Sequence, residues 1–187
     1  MITTSCKICN RNFNSQILKV REMYFGTREV FDYLECSICG CLQLLNPPKD
    51  YSVHYPKDYF TFQQEHESKI KSLLNRYRDK AAMGEESLLG NILFKKYGEP
   101  TYISRLKIAG VGLKDSILDV GCGKGILLHK MKESGFANVL GIDPFIDDTI
   151  SYPNGLNILK KNFNELAGKF DFIMFNHSFE HMENPFE

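Results

Sequence analysis

The sequence predicts an α/β fold: a parallel sheet with crossover helices, preceded by a small cysteine-rich unit and a helical linker. Three observations predict it. An apolar run, Ser116-Ile-Leu-Asp-Val120, enters a turn at Gly121, Gly123 and Gly125 and then a helical pattern, Ile126-Leu-Leu-His-Lys-Met131, which is the strand–turn–helix start of a βαβ unit. A second apolar run, Val139-Leu-Gly-Ile142, ends in Asp143, about 20 residues beyond the glycine turn. Four of the six cysteines stand as Cys6-x-x-Cys9 and Cys36-x-x-Cys39.

Composition narrows the classes. Basic and acidic residues balance at 23 each, for a formal net charge of zero. There is no general electrostatic attraction to nucleic acid or to an anionic membrane. The start, Met1-Ile-Thr-Thr-Ser-Cys6, does not read as a secretory signal. No apolar run approaches the roughly 18 residues of a membrane span. The expectation is a cytoplasmic protein with no membrane partner.

Residues 1–48 form the first expected domain. Without a secretory signal, paired CxxC motifs read as metal ligands rather than disulfides. Asn10 and Gly40 follow the second cysteine of each pair and suit tight turns that aim backbone N–H groups at thiolates. Two extended runs, from Ile17 to Phe25 and from Val30 to Leu34, lie between the pairs. This is the pattern of a zinc ribbon, with Cys6, Cys9, Cys36 and Cys39 holding a structural Zn²⁺. The gap of about 26 residues is longer than the commonest ribbon spacing, but holds a hairpin. Cys41 is read as a bystander.

Residues 49–110 form the expected linker. Pro47-Pro48 breaks the chain, and Tyr51, His54, Tyr55, Tyr59, Phe60 and Phe62 follow. These rings either pack one unit on the next or line a substrate cleft. Three helices are expected: from about Glu65 to Ala82, around Leu88–Tyr97 with Gly90 as a weak point, and from Pro100 to Ala109. The basic residues of the first read as a solvated face.

Residues 111–187 form the expected sheet domain. Strands are read at Ser116–Val120, Asn138–Ile142, Leu156–Leu159 and Phe170–Phe175, with a helix near Lys124–Ser134 and a short helical or irregular piece after Pro144. Successive β–α–β units imply a parallel sheet with right-handed crossovers. The GxGxG spacing departs from the GxGxxG of dinucleotide binders.

From roughly Tyr102 onward the chain resembles class I S-adenosylmethionine (SAM) dependent methyltransferases. The resemblance is carried by Asp119 with the Gly121–Gly125 turn, by Asp143, and by Phe170-Asp-Phe-Ile-Met-Phe-Asn-His-Ser-Phe-Glu-His-Met-Glu-Asn-Pro185 with its Glu-His pair and Pro. It implies a Rossmann-like domain with SAM as cofactor. Gly121, Cys122, Gly123 and Gly125 would place backbone against the ligand, and Asp119 would act on its ammonium. Asp143 would accept the ribose hydroxyls, and Pro144 and Phe145 would flank the adenine. Asn162 and Phe163 occupy the family's adenine-edge position, where an acidic residue is common, so Asn162 is a departure. Asn176 and His177 would floor the pocket under the transferred methyl. Cys122 is read as a small turn residue, not a nucleophile.

His177, Glu180 and His181 are the candidate catalytic residues. On a helix they would share one face at i, i+3 and i+4. They would orient the loop by hydrogen bonds, remove the acceptor's proton as a general base, or hold a divalent cation. The family's fold has a seven-stranded sheet, and four strands are read before Glu187, so the sequence is expected to be an incomplete portion of that fold. A zinc ribbon followed by a Tyr-rich stretch resembles methyltransferases of sugar and polysaccharide biosynthesis, which implies a small-molecule or glycosyl acceptor. The rival readings are an RNA methyltransferase whose ribbon grips RNA, a non-catalytic zinc and cofactor module, and a nucleotide-sugar or NAD-linked Rossmann enzyme.

Overall fold

The computed structural model describes residues 2–24, 26–48 and 68–182. The aromatic stretch Tyr51, His54, Tyr55, Tyr59, Phe60 and Phe62, and the expected helix start at Glu65, lie outside the described residues. The chain divides into two compact units, taken here one at a time.

In the first unit, β1 (Ile2–Ser5) and β2 (Asn12–Ser15) pair antiparallel around Cys6 and Cys9. Strands β3 (Ile17–Arg21), β4 (Val30–Glu35) and β5 (Leu42–Leu44) form an antiparallel sheet in that order. The β4–β5 connection carries Cys36 and Cys39. Among the described residues, the buried core here is Cys6, Phe13, Leu34 and Cys36. A core this small rarely holds a fold unaided.

The second unit starts with three helices. Helix α1 (Lys69–Ala82) starts at Ser68, whose Oγ accepts the Lys71 amide at 3.3 Å. Helix α2 (Leu88–Tyr97) starts at Ser87, whose Oγ accepts the Gly90 amide at 3.2 Å. Gly90 is not a weakness. A Cβ there would stand 2.6 Å from the Tyr77 carbonyl oxygen and 3.0 Å from the Ala81 Cβ, so the glycine lets α2 cross α1 closely. Helix α3 (Thr101–Ile108) follows Pro100.

A five-stranded sheet follows, built from β6 (Ser116–Val120), β7 (Asn138–Ile142), β8 (Ile150–Ser151), β9 (Asn157–Leu159) and β10 (Phe172–Met174), in the order β10-β6-β7-β9-β8. Helix α4 (Ile126–Glu133) joins β6 to β7. The pairs β10–β6, β6–β7 and β7–β9 are parallel, but β8 runs antiparallel to β9. The sheet is therefore mixed, which corrects the expectation of a parallel sheet; residues 144–149 are irregular as expected, and β8 follows them. A tight turn, closed by the Gly155 amide on the Tyr152 carbonyl at 2.9 Å, folds β8 back onto β9.

Neighbours in β6 pack on opposite faces, as the two-residue strand period requires. Ile117 joins Leu106 of α3 and Leu128 and Met131 of α4. Leu118 and Val120 join Ile142, with Phe163, Leu166, Phe170 and Phe175 packed against them. A polar contact ties α1, α3 and α4 together: the Tyr102 hydroxyl donates to Asp79 Oδ2 at 2.8 Å and lies 2.8 Å from Ser134 Oγ. No helix among the described residues is long and apolar enough to cross a membrane.

Candidate functional site

The site is built where β6, β7, β9 and β10 end, the crevice that open α/β sheets offer to ligands. Strand β6 stops at Val120 because the next residues must turn. Gly121, Gly123 and Gly125 have φ values of 74°, 57° and 73°, a left-handed region that residues with a Cβ rarely enter. The Gly121 and Cys122 amides donate to the Ile142 carbonyl at 2.8 and 3.3 Å, so the turn is held by the end of β7. Gly125 then opens α4. A Cβ there would lie 2.4 Å from Ile158 Cδ1.

Two carboxylates flank this turn, each almost fully buried. Asp143 follows β7 directly. Its Oδ2 accepts the Gly123 amide and its Oδ1 the Phe145 amide, each at 2.8 Å. Asp119, in β6, is 2 % exposed, and its Oδ1 has no hydrogen-bond partner among the described residues. Burial first, and the Asp143 charge second, push its carboxyl up to about 7. A buried acceptor without a donor is costly. It calls for a cation or a donor in the crevice.

Other expected residues are placed as follows. Cys122 points its sulfur toward Gly141, where a Cβ would meet it at 2.4 Å. Burial, with the Asp119 and Asp143 charges behind it, raises its thiol well above the usual range. Its side chain is a neutral packing group, and its thiol donates to the Gly123 carbonyl at 3.6 Å. Pro144 is half-buried and Phe145 is 55 % exposed. Asn162 is exposed beside the 3₁₀ turn Phe163–Glu165, and its amide donates to Glu165 Oε2 at 2.7 Å. Phe163 meets Phe175 edge to face, with ring centroids 6.1 Å apart.

The reading of His177, Glu180 and His181 as one helical face is corrected. His177 has φ 57°, which no continuing right-handed helix contains. Only Phe179–His181 coil, as a single 3₁₀ turn. The i, i+3, i+4 spacing therefore does not bring the three side chains onto one stripe. Nor do their ligand atoms converge: among the described residues, the group of metal-ligating atoms is Cys6, Cys9, Cys36 and Cys39. Asn176 and His177 are both exposed after the end of β10.

Sequence reasoning missed Ser178. Its hydroxyl donates to the Val120 carbonyl across 58 positions of chain. A Cβ on Gly121 would stand 2.4 Å from the Ser178 Cβ. Nothing local to Ser178 signals either contact.

In the first unit the four cysteine sulfurs lie within 4.8 Å of one another. The Cys6–Cys39 and Cys9–Cys36 separations are 3.7 and 3.8 Å. A tetrahedron with Zn–S bonds of about 2.3 Å has edges of about 3.8 Å. The two knuckles share one geometry: the Asn10 amide reaches the Cys6 carbonyl at 2.9 Å and the Gly40 amide the Cys36 carbonyl at 2.8 Å. Asn10 and Gly40 both take positive φ, 53° and 72°. Burial opposes ionisation of Cys6, but the Cys9 and Ile8 amides and the neighbouring thiols outweigh it and bring Cys6 down to about 7. Cys39 goes the other way, to about 12. The Cys41 amide favours its thiolate, while burial and the thiols of Cys36, Cys6 and Cys9 work against it and prevail. Four thiols this close cannot all ionise without a cation among them. The set is compatible with Zn²⁺. Cys41 lies outside it and donates to the Leu42 carbonyl at 3.5 Å.

A family model described as a methyltransferase domain matches residues 62–187. The chain belongs to this methyltransferase domain family. No curated protein matches the chain significantly. Membership supports a class I methyltransferase and, in general, SAM as methyl donor. The residues present fit that ligand: SAM carries a positive charge on its ammonium and its sulfonium, and the methyltransferase crevice holds a buried carboxylate with an unmatched oxygen.

Proposed function

We propose that this chain serves SAM-dependent methyl transfer to a small-molecule or glycosyl acceptor, with Cys6, Cys9, Cys36 and Cys39 holding a structural Zn²⁺. The observation that carries the cofactor reading is Asp119 Oδ1, buried and unmatched beside a turn of bare glycine backbone. In this reading Asp119 holds the ligand's ammonium. Gly121 and Gly123 let it lie against the backbone. Asp143 accepts the ribose hydroxyls on the lone pairs that the Gly123 and Phe145 amides leave free. Phe145 lies along the adenine, and Asn162 and Phe163 stand at its edge.

SAM, when bound, supplies a methyl carbon already activated by the sulfonium. The chain's own part is alignment and proton removal. His177 is the group we assign to take the acceptor's proton, since it is exposed and directly precedes Ser178, which contacts the Val120–Gly121 turn. Glu180 and His181 shape the loop. The zero net charge favours a neutral or glycosyl acceptor over RNA. No membrane partner is implied, and the cytoplasm is the proposed compartment.

The test is a calorimetric titration of SAM into the zinc-loaded chain, with NAD in parallel. Micromolar binding of SAM alone supports the reading. Binding of NAD with comparable affinity, or no SAM binding to the folded chain, sinks it.

A further inference from the structure

We infer that Ser178 is a positioning residue: it ties the placement of His177 to the same glycine turn that would receive the cofactor. The inference rests on the reading of that turn as the SAM site.

Strands β10 and β6 pair in register only as far as Met174 and Asp119. Beyond that point backbone pairing stops, and the segment after β10 needs another attachment. Ser178 supplies it by donating to the carbonyl of Val120, the last residue of β6. The same side chain fills the space where Gly121 lacks a Cβ, so the contact needs glycine at 121 as well as serine at 178. The next residue is anchored elsewhere. Phe179 meets Phe175 edge to face at 5.5 Å and 74°, and Phe175 in turn meets Phe163.

His177 lies between these anchors. Its backbone is left-handed at φ 57°, while its side chain is exposed. A residue with a Cβ persists in that region only where the surroundings over-determine it, and such positions cluster at functional sites. Here the surroundings are Phe175 on one side and the Ser178–Phe179 pair on the other. The His177 backbone is thereby held beside Val120–Gly121 rather than left to an unattached loop. A ligand seated on the glycine turn would then meet His177 in one place, which is what proton removal during an in-line transfer needs.

The test uses the full zinc-loaded chain, isotope-labelled, with S-adenosylhomocysteine as the probe. Ser178→Ala and Ser178→Thr are compared with the unaltered protein. Three quantities are read: the His177 Cα and Cβ shifts, which report its left-handed backbone; the change in its imidazole Cε1–Hε1 resonance on adding the probe; and the probe's affinity. Ser178→Ala is expected to lose the left-handed signature and most of the imidazole response, while the affinity stays within about threefold. Ser178→Thr, which keeps the hydroxyl, is expected to restore both signals. If Ser178→Ala keeps the signature and the response, the inference is overturned while the cofactor reading stands. If the probe binds neither protein, the cofactor reading fails and the inference with it. Should Ser178→Ala not fold, His177→Gly in that background is expected to recover folding, because glycine enters the left-handed region unaided. Failure of that rescue also overturns the inference.

Discussion

Asp143 holds Gly123: its Oδ2 accepts the Gly123 amide at 2.8 Å, joining the end of β7 to the turn that follows β6. The other oxygen accepts the Phe145 amide at the same distance. The carboxylate thus shapes the crevice before any ligand arrives. A hydrogen bond to a charged group contributes about 1.5–3 kcal/mol. Asp143→Ala is expected to weaken SAM binding at least about tenfold and to lower stability by about 1–3 kcal/mol. Asp143→Asn should fall between, because its amide NH₂ faces one of the two N–H donors. Calorimetry and urea unfolding of the three proteins check this. Equal SAM affinity in all three would remove Asp143 from the site.

Asp119 makes the site sensitive to pH. Burial and the Asp143 charge push its carboxyl up to about 7 in the folded chain, from an ordinary value of 3.8. A raised carboxyl favours the protonated folded state. The stability it contributes is therefore present below about 3.8 and lost as pH rises through about 7, by an amount on the order of 4 kcal/mol at most. Asp119→Asn should abolish that loss, so the variant without ligand gains stability over the parent at pH 8 but not at pH 4. A cationic ligand reverses the preference, since it pairs with the ionised form. SAM affinity is expected to fall by up to about tenfold per pH unit below 7 in the parent. In Asp119→Asn it should be weak and flat over the same range. A parent affinity that does not change between pH 5.5 and 8 contradicts the pairing.

Much of this site could be read in the sequence because its signals are local. Strands β6 and β7 are found at Ser116–Val120 and Asn138–Ile142 as expected, since each is an apolar run closed by a carboxylate or a glycine turn. The cysteine knuckles are likewise short and self-contained. Strand β8 was not legible: two residues carry no period, and Ile150–Ser151 is a strand only because β9 lies beside it. The face proposed for His177, Glu180 and His181 had the right spacing for a helix. It failed because His177 takes φ 57° and the coil covers Phe179–His181 alone, and the Ser178 contact with Val120 beside it is invisible along the chain. Ser178 and Gly90 share this property, since each matters through a partner from another element.

Gly90 gives a test that sets propensity against packing. Alanine is favoured over glycine in a helix by about 1 kcal/mol, and α2 would gain by the exchange if it stood alone. Here the added Cβ would stand 2.6 Å from the Tyr77 carbonyl oxygen, which is backbone and cannot swing aside. Gly90→Ala is therefore expected to destabilise the second unit by about 1–3 kcal/mol, the usual cost of overpacking. Urea denaturation followed by helical circular dichroism measures it. A stabilised variant would mean that α1 and α2 do not cross this closely in solution.

The metal prediction separates the four clustered thiols from the fifth. Structural zinc in small domains contributes on the order of 10–16 kcal/mol of apparent binding energy, which is folding energy there. Among the described residues, the buried core of the first unit is Cys6, Phe13, Leu34 and Cys36, two of which are ligands in this reading. Cys36→Ser should lose zinc and with it the dispersed amide resonances of β1 to β5. Cys41→Ser should keep one zinc per chain, because the Cys41 sulfur lies outside the cluster. Its thiol is raised by burial and by the nearby Cys6, Cys36 and Cys9, so it stays protonated near neutral pH. Atomic absorption gives the stoichiometry, and chelation of the parent should reproduce the Cys36→Ser spectrum. If Cys41→Ser also loses its zinc, the fifth thiol is a ligand and the four-cysteine assignment is wrong.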